Sequence, residues 1–296
     1  SEMCIRDRNK SFGRRILNLL PWQVRYFVDY SRNKHVIPNL FSPRNYSEYI
    51  FRDNILGCHK KHAYLADKYE VRKYVEERGL GHILTKLYGV WDNADIINFD
   101  ELPAQFAIKC NHSCAMNIIV FDKSTLDVEA TKKLLNKWLK TKHPIDFEVH
   151  YQCIKPLIIC EELIKDNEDG SFPMDYKIHC ANGKPIFIQC CFARTEQSVG
   201  KRVIYSPEWK NLHYIINDYH YSGDECDKPK HLKEMLEYAS ILSKGLDYAR
   251  VDFYDTDERP LFGEITLTPM GGWLTYFTPE AIDVMGREIR VNKNKK

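Results

Sequence analysis

Apolar residues follow two rhythms along this chain: a three-to-four-residue spacing that predicts helices and a strict alternation that predicts strands. In SFGRRILNLLPWQVRYFVDYSRNKH, Ile16, Leu17, Leu20, Val24 and Phe27/Val28 fall at helical spacing, with Arg14, Arg15 and Arg25 outside the stripe. One reading is a helix lying on a membrane surface. The favoured one is a helix docked on its own domain, because Pro21 interrupts the stripe and Tyr26 and Tyr30 suit packing. Residues 11 to about 60 are otherwise mixed. LADKYEVRKYVEERG predicts a helix with Val71, Tyr74 and Val75 inward and Gly79 as its C-cap. Residues 95–103 form a connector. Two more helices are expected, 127–140 with Leu134, Leu135, Trp138 and Leu139 inward, and 228–245 with Leu232, Met235, Leu236, Ala239 and Leu242 inward.

Alternation predicts strands at QFAIK and NIIVF, flanking a loop over residues 110–116, and a buried strand at PLIICEELI. DYKIHCANGKPIFIQCCFAR is a hairpin turning at Asn182-Gly183, the strongest short-range hairpin signal in the chain. On that register Lys177 faces Ile188 and shares its parity with Asp175, His179 and Arg194. Residues 207–227 predict an irregular polar and aromatic loop. The layout is α+β, with helices covering mainly antiparallel sheets.

The densest candidate chemistry lies in ARVDFYDTDERPLFGEITLTPMGG. A turn symmetric about Glu258 sets Asp252 opposite Glu264 and Arg250 opposite Thr266, all on one face, with Val251, Phe253, Ile265 and Leu267 on the other. Directly opposed residues have Cβ atoms roughly 4.5–5.5 Å apart, close enough for both carboxylates to hold one hard cation. Without a cation the facing like charges would repel. The plainer alternative is a solvated face with Asp252 and Arg250 paired to other surface charges.

A chain of 296 residues that is 44% hydrophobic can bury a core divided into two or three subdomains. The net charge of +2 gives neither a nucleic-acid footprint nor an acidic tail. No uncharged apolar stretch reaches the ~20 residues that span a bilayer. The opening SEMCIRDRNK is polar, lacks a signal-peptide core, and resembles translated adaptor sequence, so residues 1–10 are expected to be a non-native leader. Several of the ten cysteines sit inside apolar strands, where they act as small hydrophobes, so reduced thiols are expected. Cys110, His112 and Cys114 would lack a fourth zinc ligand.

Lys109 closes an apolar strand before a loop of small residues, where it could neutralise phosphate oxygens or simply snorkel. Glu161-Glu162-Leu163 ends a buried strand and could present groups to a flat heterocycle or be an ordinary strand exit. Lys177 lies on a partly apolar face, with Asp175 as its ready partner.

Taken in order, a strand ending in Lys109, a small-residue loop, a strand running into Glu-Glu-Leu, a lysine hairpin and RVD…GEIT resemble the ATP-grasp fold, in which two α+β subdomains close on ATP. The blocks LADKYEVRKYV, LPAQFAIKCNH, NIIVFDKSTLD, DYKIHCANGKPIFI and the carboxylate hairpin resemble the TupA-like, teichuronopeptide-biosynthesis branch, over roughly residues 43–286. The resemblance implies a helical region at 11–104, a lid-type subdomain at 105–160 and a C-terminal subdomain at 161–296. It implies Lys109 and Lys177 on ATP phosphates, Ser113 and Asn117 in the phosphate loop, and Glu161, Glu162 and Leu163 around adenine. Asp252, Glu264 and Thr266 would hold Mg²⁺, Arg250 would steady the transferred phosphoryl group, and Arg194 would meet an anion.

The implied activity is ATP-dependent amide formation through an acyl phosphate, on small or glycan-linked carboxylates and amines of a bacterial surface polysaccharide. It places the protein in the cytoplasm, with room for peripheral membrane contact and no nucleic-acid partner. Two departures stand out: Thr266 occupies a position where asparagine is common, and residues 111–117 lack the family's glycines, which hinders close approach to phosphates. Two competitors remain. A sugar transferase would be expected to show a Rossmann-like βαβ start or an Asp-x-Asp motif, and the chain is read as having neither. A non-catalytic module of ATP-grasp shape is supported by the glycine-free loop.

Overall fold

The computed structural model describes residues 19–142, 148–164, 173–192, 200–216 and 225–293. Helices α1 (Trp22–Lys34), α2 (Tyr46–Leu56), α3 (Ala63–Ala66) and α4 (Glu70–Glu77) come first. Strands β1 (Leu87–Trp91), β2 (Phe106–Cys110) and β3 (Asn117–Val120), helix α5 (Val128–Leu139) and strand β4 (Ile158–Glu161) follow. The chain continues through β5 (Asp175–Ala181), β6 (Lys184–Phe192), β7 (Lys201–Tyr205), α6 (Leu232–Ser243), β8 (Ala249–Asp255), β9 (Pro260–Thr266) and α7 (Pro279–Lys293).

The smaller sheet runs β1-β4-β2-β3. Alternation divides its faces: Phe106, Ile108 and Cys110 join Val120, Ile158 and Cys160 in a core beneath α5, leaving Ala107, Lys109 and Glu161 on the opposite face. Asp127 caps α5 by accepting from the Ala130 N–H at 2.9 Å. Leu135 fills the core, but Leu134, expected inward, is 37% exposed. The edge strand β1 comes from residues 87–91, inside the stretch expected to be helical. All five of its residues are half-buried, so it carries no alternation to read.

The larger sheet runs β7-β6-β5-β8-β9. Ile178, Ile188, Val251, Phe253 and Ile265 pack against Met235, Ala239 and Leu242 of α6 and Val71 and Val75 of α4. Phe253 is fully buried, which stabilises the fold by about 2–3 kcal/mol. Across the sheet, Tyr46, Ile50, Phe187, Met285 and Ile289 form a second core under α2 and α7. Helix α2 lies in the stretch expected to be helical and is capped by Asn45, which accepts from the Glu48 N–H at 3.1 Å, whereas α7, opened by Thr278-Pro279, was not expected.

The β5–β6 turn adopts left-handed conformations at Asn182 (φ 46°) and Gly183 (φ 82°), as the sequence requires. The register then slips between His179 and Cys180, so Lys177 pairs with Gln189 and not with Ile188. The slip falls beside Pro185, which has no N–H to give the ladder. Helix α1 begins after Pro21 and docks through Tyr26 and Tyr30, whose rings lie 4.4 and 4.5 Å from Phe51. Val24 of the expected stripe is 42% exposed, and Ile16 and Leu17 lie outside the described residues. Helix α6 starts at Leu232, four residues later than expected.

Candidate active site

Strands β8 and β9 set Arg250 opposite Thr266 and Asp252 opposite Glu264, the pairing expected from the turn. Beyond Asp252 the register shifts, so that Phe253 meets Phe262 and Asp255 meets Pro260. Gly263 is the extra residue. A Cβ there would lie 3.1 Å from the Asp252 carbonyl oxygen and 3.3 Å from the Tyr254 ring, closer than a side chain comfortably sits. The bulge lets a short hairpin loop coexist with acids in phase at its base.

Asp252 is 2% exposed and ringed by cations. Lys177 Nζ lies 2.6 Å from Asp252 Oδ2 and 3.1 Å from Asp175 Oδ2. Arg250 donates from Nε to Asp252 Oδ1 and from Nη2 to Oδ2, both at 2.7 Å. The same Nη2 reaches Glu264 Oε1 at 2.8 Å and Thr266 Oγ1 at 3.0 Å. The facing acids were expected to repel unless a cation lay between them, and the Arg250 guanidinium bridges them. Burial works against charge on Lys177, but Asp175 and Asp252 outweigh it and raise its pKa. Burial likewise opposes charge on Arg250, and Asp252 and Glu264 raise it well above the usual arginine value. Thr266 donates to Glu264 Oε1 at 2.8 Å and does not itself line the cavity.

The smaller sheet contributes a second charged group. Lys109 Nζ lies 2.5 Å from Glu161 Oε2, and Arg72 Nη1 lies 2.8 Å from Glu161 Oε1. Lys109 therefore does not snorkel, and the Glu161 carboxylate orients it. Arg72 is itself fixed by the Thr85 carbonyl at 2.6 Å. At the strand exit the Glu162 N–H donates to the Lys86 carbonyl at 2.8 Å.

Between β2 and β3 the glycine-free loop places Ala115 at φ 57°, a conformation glycine adopts freely and alanine resists. The loop is held from outside. Asn111 donates to Asp67 Oδ1 at 2.8 Å and accepts from the Leu157 N–H at 2.7 Å, and His112 Nε2 meets the Thr141 carbonyl at 3.1 Å. Lys68 Nζ donates to the Ser113 carbonyl at 2.7 Å. Burial lowers the Lys68 pKa, with Glu264 opposing.

These groups converge on a cavity of about 440 Å³ between the two sheets. Lys109, Asn117, Glu161, Glu162, Leu163, Lys177, Asp252 and Glu264 line it, all anticipated from the sequence. Arg250 and Thr266 touch the carboxylates without lining the cavity, and Ser113 does not line it. Arg194 lies outside the described residues. Lys68, Arg72 and Asp175 also line the cavity. Lys68 and Arg72 were missed as site residues because LADKYEVRKYVEERG reads as a packing helix, although two cations four apart were visible there.

Hard oxygen donors at Asp252 and Glu264 suit Mg²⁺, which typically binds one or two carboxylates and completes its shell with phosphate oxygens and water. Among the described residues no group of three His, Cys, Asp or Glu side chains could hold a metal by itself. Phosphate oxygens would therefore be needed, and the surrounding lysines suit them. The Cys110–His112–Cys114 set is dispersed, with Cys110 buried in the apolar core and Cys114 exposed. No disulfide joins any two of the nine described cysteines. Contrary to the sequence reading, an Asp-x-Asp triplet does occur, at Asp255-Thr256-Asp257. Asp255 is occupied by His231 Nδ1 and the Lys230 N–H, both at 2.7 Å, away from the cavity.

The model of the TupA-like ATPgrasp family matches residues 50–290. No curated protein matches the chain. Similar solved structures include a D-alanine–D-alanine ligase from Bacillus anthracis, 18% identical, covering 82% of this chain and 77% of that one at a TM-score of 0.47. An L-amino acid ligase from Bacillus licheniformis is 14% identical, covering 90% of this chain and 61% of that one at a TM-score of 0.46.

Proposed function

The chain belongs to the TupA-like ATP-grasp family, and from that premise we propose that it is an ATP-dependent carboxylate–amine ligase. One observation carries the proposal: Lys68, Lys109 and Lys177 meet Asp252 and Glu264 around a single cavity between two sheets. A triphosphate needs such cations and a metal-binding acid pair, whereas an ordinary solvated face needs neither.

In this scheme the lysines hold the phosphates and the Glu162-Leu163 strand exit meets the base. Glu161 positions Lys109, and Arg250 fixes both acids in a metal-ready arrangement. Asp252 and Glu264 would hold Mg²⁺, which when bound would supply charge neutralisation to the phosphates. A substrate carboxylate oxygen attacks the γ-phosphorus and releases ADP, giving an acyl phosphate. An amine then attacks the acyl carbon, expels phosphate and leaves an amide after losing a proton. Sugar acids, amino sugars or amino acids of a bacterial surface polymer are the substrate class, acted on in the cytoplasm.

A non-catalytic binding module is favoured by one observation, that Arg250 and Lys177 already satisfy Asp252. ADP release separates the two readings. The ligase releases ADP only when both a carboxylate and an amine are supplied, and Asp252→Ala and Glu264→Ala lower that turnover sharply. Turnover within a few-fold of the parent in both variants would remove the metal assignment.

A further inference from the structure

The active site leaves one strongly featured surface unexplained, at the N-terminal end of the described chain. Among the described residues, seven of the thirteen exposed large apolar side chains fall between Leu19 and Leu56. Ile37 is 73% exposed, Phe41 fully exposed and Leu56 66% exposed. These side chains stand on ordered backbone. Asn39 Oδ1 accepts from the N–H groups of Phe41 (3.1 Å) and Ser42 (2.9 Å), and Arg44 Nη2 donates to the Ile37 carbonyl at 2.9 Å. Phe41 and Leu56 border a groove of about 730 Å³ whose wall also carries Arg52, Lys61, Asp53 and Asp247.

Charge is concentrated in the same stretch. Residues 30–64 hold six lysines and arginines against two acids, in a chain whose total is only +2. Both acids are matched internally, Glu48 by Arg44 and Asp53 by Arg52. Arg32, Lys34, Lys60 and Lys61 are the surplus, and Lys60 and Lys61 are exposed just beyond Leu56.

We infer that this face docks on an anionic lipid bilayer, with Ile37, Phe41 and Leu56 entering the headgroup–acyl boundary and Lys60 and Lys61 meeting lipid phosphates. Apolar insertion flanked by cations is the physical basis of interfacial binding. A second copy is the poorer occupant, because a two-fold contact would set this unbalanced positive charge against itself. Helix α1 does not lie on the membrane in this arrangement. Its tyrosines dock inward, and the loop after it reaches the lipid.

Co-sedimentation of the full chain with phosphatidylcholine vesicles, with and without phosphatidylglycerol, tests the inference. The chain is expected to pellet with the phosphatidylglycerol vesicles at low salt and to be released by high salt. An Ile37→Ser/Phe41→Ser double variant and a Lys60→Glu/Lys61→Glu variant are each expected to bind about tenfold more weakly or worse. Unchanged thermal unfolding would show that both remain folded. Three results would overturn the inference: no binding to phosphatidylglycerol vesicles, binding unaffected in both variants, or a concentration-dependent dimer that the serine variant abolishes.

Discussion

Arg250 grips Asp252, two positions along the same strand, through both Nε and Nη2 at 2.7 Å, and the same Nη2 crosses to Glu264. One guanidinium thus sets the spacing of the two acids. Arg250→Ala is expected to destabilise the fold by about 3 kcal/mol, the lower end for breaking a buried pair, because Lys177 still faces Asp252. Arg250→Lys is expected to recover part of the stability but little turnover, since an ammonium cannot make the two-pronged contact. Thermal unfolding and ADP release on the same samples check both.

Asp252→Asn and Glu264→Gln keep side-chain size and remove charge. Each is expected to lower turnover by on the order of 10²-fold or more. Asp252→Asn also leaves Lys177 facing Asp175 alone, so it should lower the melting temperature more than Glu264→Gln, whose site is 41% exposed. Equal stability losses in the two variants would argue against the burial difference.

The acid pairing was legible because strand alternation fixes the face, and the bulge at Gly263 offsets the shorter turn so that Asp252 still meets Glu264. The same reasoning misassigned the partner of Lys177, since a bulge beside Pro185 shifts the register by one. Bulges are local accommodations that periodicity cannot register. The edge strands β1 and β7 escaped notice for a related reason: LYGVW is half-buried throughout, and KRVIY opens with two cations. Lys68 and Arg72 were hidden because their place at the cavity depends on tertiary contacts, Lys68 with the Ser113 carbonyl and Arg72 with Glu161. Helix α6 and the Asn182-Gly183 turn were legible because their signals are local.

His179 is buried between Tyr248 and Gln189. Burial, reinforced by Arg250, holds its pKa well below the ordinary 6.5. Below that value the unfolded chain binds a proton that the folded chain refuses, so stability falls as pH falls. His179→Gln is expected to remove up to about 1.4 kcal/mol per pH unit of that acid slope. Denaturant titrations at several acidic pH values measure it. His59 and His112, also lowered by burial, keep part of the slope.

Lys177 behaves in the opposite sense. Its folded pKa is raised above 10.5 by Asp175 and Asp252 against burial, so its contribution is fully present below the unfolded value and is lost only as pH rises through the folded one. Lys177→Met is expected to lower stability by a constant amount through the neutral and mildly alkaline range. A loss that varies steeply with pH near neutrality would contradict the assignment.

Ala115 holds a left-handed conformation in the loop between β2 and β3. Ala115→Gly relieves that strain but enlarges the unfolded ensemble, so the net gain is expected to be at most about 1 kcal/mol. Ala115→Val, β-branched at the same φ, is expected to destabilise by more than about 1 kcal/mol. The pair of melting temperatures reports whether the loop geometry is correct.

Calorimetric titration with ATP, in the presence and absence of Mg²⁺, bears most directly on the cavity between the sheets. Saturable binding that Mg²⁺ tightens, with the Mg²⁺ effect lost in an Asp252→Asn/Glu264→Gln double variant, is the expected result. No heat at millimolar nucleotide, or binding indifferent to Mg²⁺ in the parent chain, would contradict it.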